Sequence, residues 1–111
     1  MDTLTAYRKI VQATLQKYVD VKYAYGDIHN EALFDPAADR YMVVSVGWEG
    51  MKRVHGCLIH VDIIENKVWI QRDGTEDGIA NELVEGGIHK NHIVLGYKEP
   101  EIRKFTDFAV A

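Results

Sequence analysis

Between Thr3 and Tyr18, the apolar residues Leu4, Tyr7, Val11, Leu15 and Tyr18 recur at spacings of three and four. That period marks one buried face of a helix, with Asp2 or Thr3 placed to cap its first turn. Tyr23-Ala24-Tyr25-Gly26-Asp27 breaks the period and leads into an extended segment from Ile28 to Phe34. Asp35-Pro36-Ala37-Ala38-Asp39 reads as a turn, because proline presets φ and aspartate can bond nearby backbone. Arg40 to Trp48 and Val54 to Ile64 are rich in Val, Ile and aromatics, and Glu49-Gly50-Met51-Lys52 joins them as a hairpin. Glu65-Asn66-Lys67 turns the chain again before Val68-Trp69-Ile70-Gln71-Arg72. Asp73 or Thr75 then caps a second helix with Ile79, Ala80, Leu83 and Val84 as its buried stripe. Gly86-Gly87 ends it, with Ile88 making the apolar contact that accompanies a glycine cap. Ile93 to Tyr97 is a strand or a packed extended tail, and Pro100 opens a last short helix.

The expected architecture is therefore α+β: an N-terminal helix, an antiparallel meander of about four strands, a second helix and a short C-terminal segment. Residues 1–111 form one domain, with no linker, repeat or low-complexity stretch. Regular alternation places His55, Cys57, Ile59, Val61 and Ile63 on one face of their strand, and Leu58, His60, Asp62 and Ile64 on the other. Met42, Val44, Val46 and Trp48 likewise oppose Tyr41, Val43, Ser45 and Gly47. Neither strand has a cleanly polar side, although a sheet with helices on one face should have a wetter second face. The second face is thus expected to be covered by another chain, through self-association or a partner.

Net charge sharpens this picture. Thirteen Lys and Arg against seventeen Asp and Glu give a formal charge of −4 and a pI of about 5.7. The basic residues come singly or in pairs, and a domain holding DNA through its phosphates needs a basic excess on one face. Cys57 is the only cysteine, which excludes an intrachain disulfide framework and fits a reducing compartment. The first residues lack a secretory signal pattern, and no apolar run approaches the ~20 residues of a membrane span. A cytoplasmic location and no membrane partner are expected.

Candidate chemistry is sparse. His89 and His92, and the group His55, Cys57 and His60, fall short of four converging zinc ligands, because His60 points away from Cys57 in a regular strand. Cys57 with His55 lacks an orienting third group and an oxyanion hole. Asp62 followed by Glu65-Asn66-Lys67 has the residue types of a Mg²⁺-dependent nuclease, but its E-x-K falls in a turn. Gly74-Thr75-Glu76-Asp77-Gly78 lacks the order of a phosphate loop and carries acids that repel phosphate. No catalytic residue, metal or cofactor is assigned. Gln71, Arg72 and Asp73, beside Trp69 and with Arg53, form the candidate partner-binding set, since Trp and Arg are often energetic at interfaces. Core packing of Trp69 is the competing account.

The residue strings Tyr23-Ala24-Tyr25-Gly26-Asp27, Asp39-Arg40-Tyr41, Val46-Gly47-Trp48, Arg53-Val54-His55-Gly56-Cys57 and His60-Val61-Asp62-Ile63 occur in order. Trp69-Ile70-Gln71-Arg72-Asp73-Gly74-Thr75, Ile93-Val94-Leu95-Gly96 and Phe108-Ala109-Val110-Ala111 follow. This pattern closely resembles the fdxN element excision controlling factor XisI family of cyanobacteria, from the first helix to the last residue. Ile88-His89 departs from it where a proline would follow the isoleucine. The resemblance implies a non-enzymatic accessory role in programmed site-specific DNA excision during heterocyst differentiation. It also implies an endonuclease-like companion, XisH, and a site-specific recombinase. It transfers no catalytic residue. The expectation that joins both lines is an adaptor that binds and controls XisH or the recombinase and forms homo-oligomers. Direct DNA binding as a directionality factor is the alternative, and would require Lys52, Arg53, Arg72, Arg103 and Lys104 to gather on one face.

Overall fold

The computed structural model describes residues 3–22 and 27–111. Helix α1 spans Thr3–Val19, and the sheet strands are β1 Asp27–Asp35, β2 Arg40–Glu49, β3 Lys52–Ile64, β4 Lys67–Asp73 and β5 Ile93–Leu95. Helix α2 spans Ala80–Gly86, a 3₁₀ turn Lys90–His92 and helix α3 Pro100–Arg103. The expected α+β order is present. The alternative cap Asp2 and the helix-breaking segment Tyr23–Gly26 lie outside the described residues, and Thr3 stands within the helix itself.

The five strands lie in sequence order, β1 to β4 antiparallel and β5 parallel to β4. Antiparallel neighbours follow from short connections. Glu65 and Asn66, both at positive φ (50° and 68°), make the β3–β4 hairpin turn whose twist matches its strands. Reaching a parallel β5 requires a crossover, and α2 with the 3₁₀ turn supplies it.

α1 and α2 pack on one side of the sheet. Tyr7, Val11 and Leu15 of α1 pack with Tyr41, Val43, Ile59, Val61, Val68 and Ile70 of the sheet and with Ile79 and Leu83 beside α2. Val11 and Leu15 are fully buried, each such side chain contributing about 1.5–3 kcal/mol. Polar ties fix the helix along its length. Arg8 donates two hydrogen bonds to Asp39 (2.7 and 3.0 Å), and Tyr18 donates from its hydroxyl to Glu82 (2.8 Å). Tyr7 shares a 2.6 Å hydrogen bond with His92 Nδ1, and Asn30, itself buried, donates to the Tyr18 carbonyl at 2.7 Å.

The second helix begins later than its sequence suggests. Asp73 does act as a cap, but of the loop: its carboxylate accepts from the Thr75 amide and hydroxyl and, at 2.7 Å, from the Ile79 amide. The helix proper starts at Ala80 with no side-chain cap. Ile79 and Leu83 are buried and Ala80 packs against the core, while Val84 is exposed. Its end follows the expectation. Gly87 adopts φ 119°, its amide bonds the Val84 carbonyl, and the amide of buried Ile88 bonds that of Leu83.

One irregularity reverses a sequence expectation. Val43 pairs with Ile59 but Val44 pairs with Cys57, so Leu58 is an extra residue in β3. A bulge of this kind breaks the alternation of faces. Cys57 and His55 therefore do not share the helix side with Ile59; they join His60 and Asp62 on the opposite face. A second bulge sets His60 opposite Arg72 and Val61 opposite Ile70, leaving Gln71 as the extra residue in β4.

Candidate functional site

The face of the sheet turned away from α1 and α2 is the candidate site. β1 contributes His29, Glu31 and Leu33, and β2 contributes Met42, Val44, Val46 and Trp48, by cross-strand register. β3 adds Arg53, His55, Cys57, His60 and Asp62, and β4 adds Trp69 with Gln71. Met42, Val44 and Val46 are half-buried by their neighbours yet belong to no part of the core packing, while Leu33 is 58% and Trp48 48% exposed. Among the described residues the core packing of α1 and α2 lies on the other side, and α3 reaches this face only at its β4 end, through Arg103.

Two patches stand at opposite ends of this face. At the β2–β3 hairpin, the Arg53 guanidinium lies 5.2 Å from the centroid of the Trp48 ring, and Arg53 donates to the Gly47 carbonyl at 3.3 Å. At the β4 end, His60 Nε2 and Asp62 are 2.9 Å apart and Gln71 donates to the second Asp62 oxygen at 3.4 Å. Trp69, directly opposite Asp62, is half-buried under Arg103, whose guanidinium lies 5.2 Å from its ring centroid. Arg103 is itself held by the carbonyls of Lys98 (3.1 Å) and Gly96 (3.3 Å). Glycine at 96 lets the chain lie close here, since a Cβ would lie 2.7 Å from Gln71 Oε1 and 3.1 Å from the Trp69 ring. Arg103 at the end of α3 thus roofs Trp69, while Ala109 bridges Val94 on the outer side of β5.

The five residues singled out from sequence consequently divide. Trp69 and Gln71 sit together on the open face. Arg72 is exposed at its margin and donates to the Cys57 carbonyl at 3.3 Å. Asp73 is engaged in the loop before α2. Arg53 lies some 25–30 Å from Trp69 along β3, at about 3.3 Å per residue, and pairs with Trp48 instead. Trp48, His60, Asp62 and Arg103 were not singled out as partners of these residues. The Trp48–Arg53 pair was within reach of the sequence, because a two-residue turn at Gly50-Met51 sets those positions opposite each other. The Trp69–Arg103 contact had no local signal.

The bulge brings Cys57 and His60 to one face beside Asp62, a set with the residue types of a nucleophilic triad. The Cys57 thiol, however, donates to the Ile59 carbonyl at 3.3 Å, and burial pushes its pKa up, away from the reactive thiolate. His89 accepts from the Asn91 amide and His92 bonds Tyr7, so the pair serves the 3₁₀ turn. Among the described residues no group of three or more His, Cys, Asp and Glu side chains is disposed to hold a metal ion. Glu65-Asn66-Lys67 occupies the β3–β4 turn region, as its sequence suggests. Arg103 is pinned over Trp69, Lys104 lies against Phe105 (5.2 Å), and Glu31 and Asp62 interrupt the positive charge of the open face. No helix among the described residues is long and apolar enough to cross a membrane.

The same chain geometry occurs in solved structures. A XisI-like protein from Anabaena variabilis ATCC 29413 superposes with a TM-score of 0.88 at 34% identity, covering 97% of this chain and 99% of that one. The fdxN element excision controlling factor XisI from the same organism gives a TM-score of 0.84 at 34% identity, covering 99% of this chain and all of that one (100%). No curated protein sequence matches. The XisI protein family model matches residues 1–110, and with these likenesses across nearly its whole length the chain belongs to the XisI family.

Proposed function

We propose that this protein is a non-enzymatic excision controlling factor that acts as an adaptor, binding an endonuclease-like companion of the XisH type, or the recombinase, through the open face of its sheet. The observation that carries this reading is the apolar ground of that face, Met42, Val44, Val46, Leu33 and Trp48, opposite the side that holds every core helix contact. Contiguous apolar surface rimmed by polar groups is the usual form of a protein-binding site. Trp48 under Arg53 is a pair of the residue types that dominate binding energy when desolvated. The net charge of −4 and the carboxylates among the basic side chains favour a protein partner over the DNA backbone. Control of excision then operates through the machinery that cuts and joins, in keeping with a controlling factor.

The test is co-expression with the XisH-type companion, followed by size-exclusion chromatography with light scattering. A stoichiometric complex is expected. Trp48→Ala with Arg53→Ala should weaken it at least ~10-fold, the loss of roughly 1.4 kcal/mol or more; Trp69→Ala with Arg72→Ala tests the roofed end separately. A complex insensitive to both pairs would remove the open face as its site. Separate elution, together with a gel shift on element-border DNA that weakens steeply with salt, would replace the adaptor reading by direct DNA engagement.

A further inference from the structure

β3 is the longest strand, and its two neighbours do not cover it equally. β2 pairs with it from Lys52 onward, whereas β4 reaches only as far back as Ile59, with the Gly74 amide bonding the Leu58 carbonyl just beyond. Residues 52–57 therefore present a free strand edge on the β4 side. The Cys57 carbonyl turns to that side, where Arg72 takes it at 3.3 Å. By the alternation of a regular strand, the N–H and C=O groups of His55 and Arg53 turn the same way, with no strand among the described residues to receive them. Exposed edges are usually blunted by proline, bulges or charged side chains, lysine above all; of these the stretch carries the charges of Lys52 and Arg53, at its hairpin end. This stretch has no proline, its register with β2 is regular from Lys52 to Cys57, and Gly56 faces open space.

We infer that this edge is a homodimer interface, in which residues 52–56 of two copies pair antiparallel about a two-fold axis at Val54 and join the two sheets into one. Centred there, the outward groups of Arg53 and His55 in one copy meet those of His55 and Arg53 in the other, while Cys57 keeps its bond to Arg72. The same axis carries Lys52 and the fully exposed Met51 of each copy toward the other copy's Gly74–Asp77 loop, where Glu76 and Asp77 are exposed. A positive turn and a negative loop at opposite ends of one edge are self-complementary under a two-fold operation, the requirement of an isologous interface. The outer edge of β1 does not meet it. Self-pairing about its central residue, Glu31, would set carboxylate against carboxylate and Asp27 against Asp35.

Five or six residues of strand bury less than a standard interface, so the dimer should form at tens to hundreds of micromolar, roughly, and dissociate on dilution. Light scattering across that range should show the mass rising from one chain to two. His55→Pro deletes an outward amide while leaving the bonds to β2, a place where an edge strand tolerates proline, and should hold the mass at one chain with circular dichroism unchanged. Val54 is the residue that faces its own counterpart, at a position where opposed Cα atoms lie about 4.5 Å apart, within disulfide reach. Val54→Cys in a Cys57→Ser background should therefore form a disulfide-linked dimer in air, and Lys52→Cys in the same background should not. A single-chain mass at every concentration would overturn the proposal, as would a dimer that neither His55→Pro disrupts nor Val54→Cys cross-links.

Discussion

The Arg8 guanidinium grips the Asp39 carboxylate through two hydrogen bonds, Nε to Oδ1 at 2.7 Å and a terminal nitrogen to Oδ2 at 3.0 Å, joining α1 to the turn between β1 and β2. The Tyr41 hydroxyl donates to the same carboxylate at 3.1 Å. These partners, Arg8 foremost, hold the Asp39 pKa below the usual carboxylate range. A carboxyl whose pKa is lower folded than unfolded adds stability above the unfolded value and loses it as pH falls through the folded one. Asp39→Asn should lower stability by about 1–2 kcal/mol at neutral pH and should flatten the acid limb of the stability profile. Urea titrations from neutral pH into the acid range would check both effects.

Tyr41 behaves in the opposite sense at alkaline pH. Burial first, then its hydrogen bond to Asp39, raise its pKa to about 12. With the unfolded value near 10, its contribution is complete below that pH and is lost as pH climbs through about 12. Tyr41→Phe should therefore show a shallower decline between those limits, and stability measured alongside tyrosinate absorbance would reveal it. Tyr18, raised to about 12 by burial and Glu82, and Tyr97, raised by burial, set the decline that persists.

The roof over Trp69 predicts a spectroscopic change. In a Trp48→Phe background the remaining emission comes from Trp69, since these are the two tryptophans of the chain. Arg103→Ala should shift that emission to the red and lower stability by about 1–2 kcal/mol, through lost cation–π contact and carbonyl hydrogen bonds. An unshifted spectrum would show that the ring is shielded by other groups.

Gly96→Ala tests the same corner from the backbone side. The added methyl would meet Gln71 Oε1 at 2.7 Å and the Ile70 carbonyl at 3.1 Å. The amide oxygen ends a flexible side chain and can swing aside whereas the carbonyl cannot, so the cost should stay near the low end of overpacking, about 1 kcal/mol, and Gln71→Ala should restore little of it. A double-mutant cycle in guanidinium measures the coupling.

What could be read along the chain, and what could not, follows from the range of the interactions. α1 was legible because Tyr7, Val11 and Leu15 all face one core, and the hairpins because their turn residues are local determinants. The bulge at Leu58 was not. Leu58 is as apolar as Ile59, so an unbroken alternation fits the letters equally well, and the register is settled only by Val43 and Val44 across the strand pair. The start of α2 was misplaced because an aspartate that caps a loop and one that caps a helix look alike in sequence. On the site, Trp69, Gln71 and Arg72 lie together at one end of the sheet, whereas Asp73 turns into the loop before α2 and Arg53 stands the length of a strand away. Arg103 meets Trp69 only because β5 returns parallel to β4.

That parallel return has a consequence for how the molecule moves. β1 to β4 are stitched by hairpins, whose contacts are close in sequence, whereas the segment from β5 onward attaches through contacts distant in sequence, the buried Ile93, Val94 and Leu95 of a three-residue strand and the side chain of Phe108. Proteins open in cooperative units of unequal cost, and here the segment from β5 onward is a unit that can part without breaking a hairpin. Its release bares Trp69 and the flank of β4 while the meander stays intact. Amide exchange at Val94 and Leu95 should accordingly outpace exchange at Val61 and Ile70, and the roofed tryptophan becomes a surface available on the timescale of that opening, not a permanent part of the exterior.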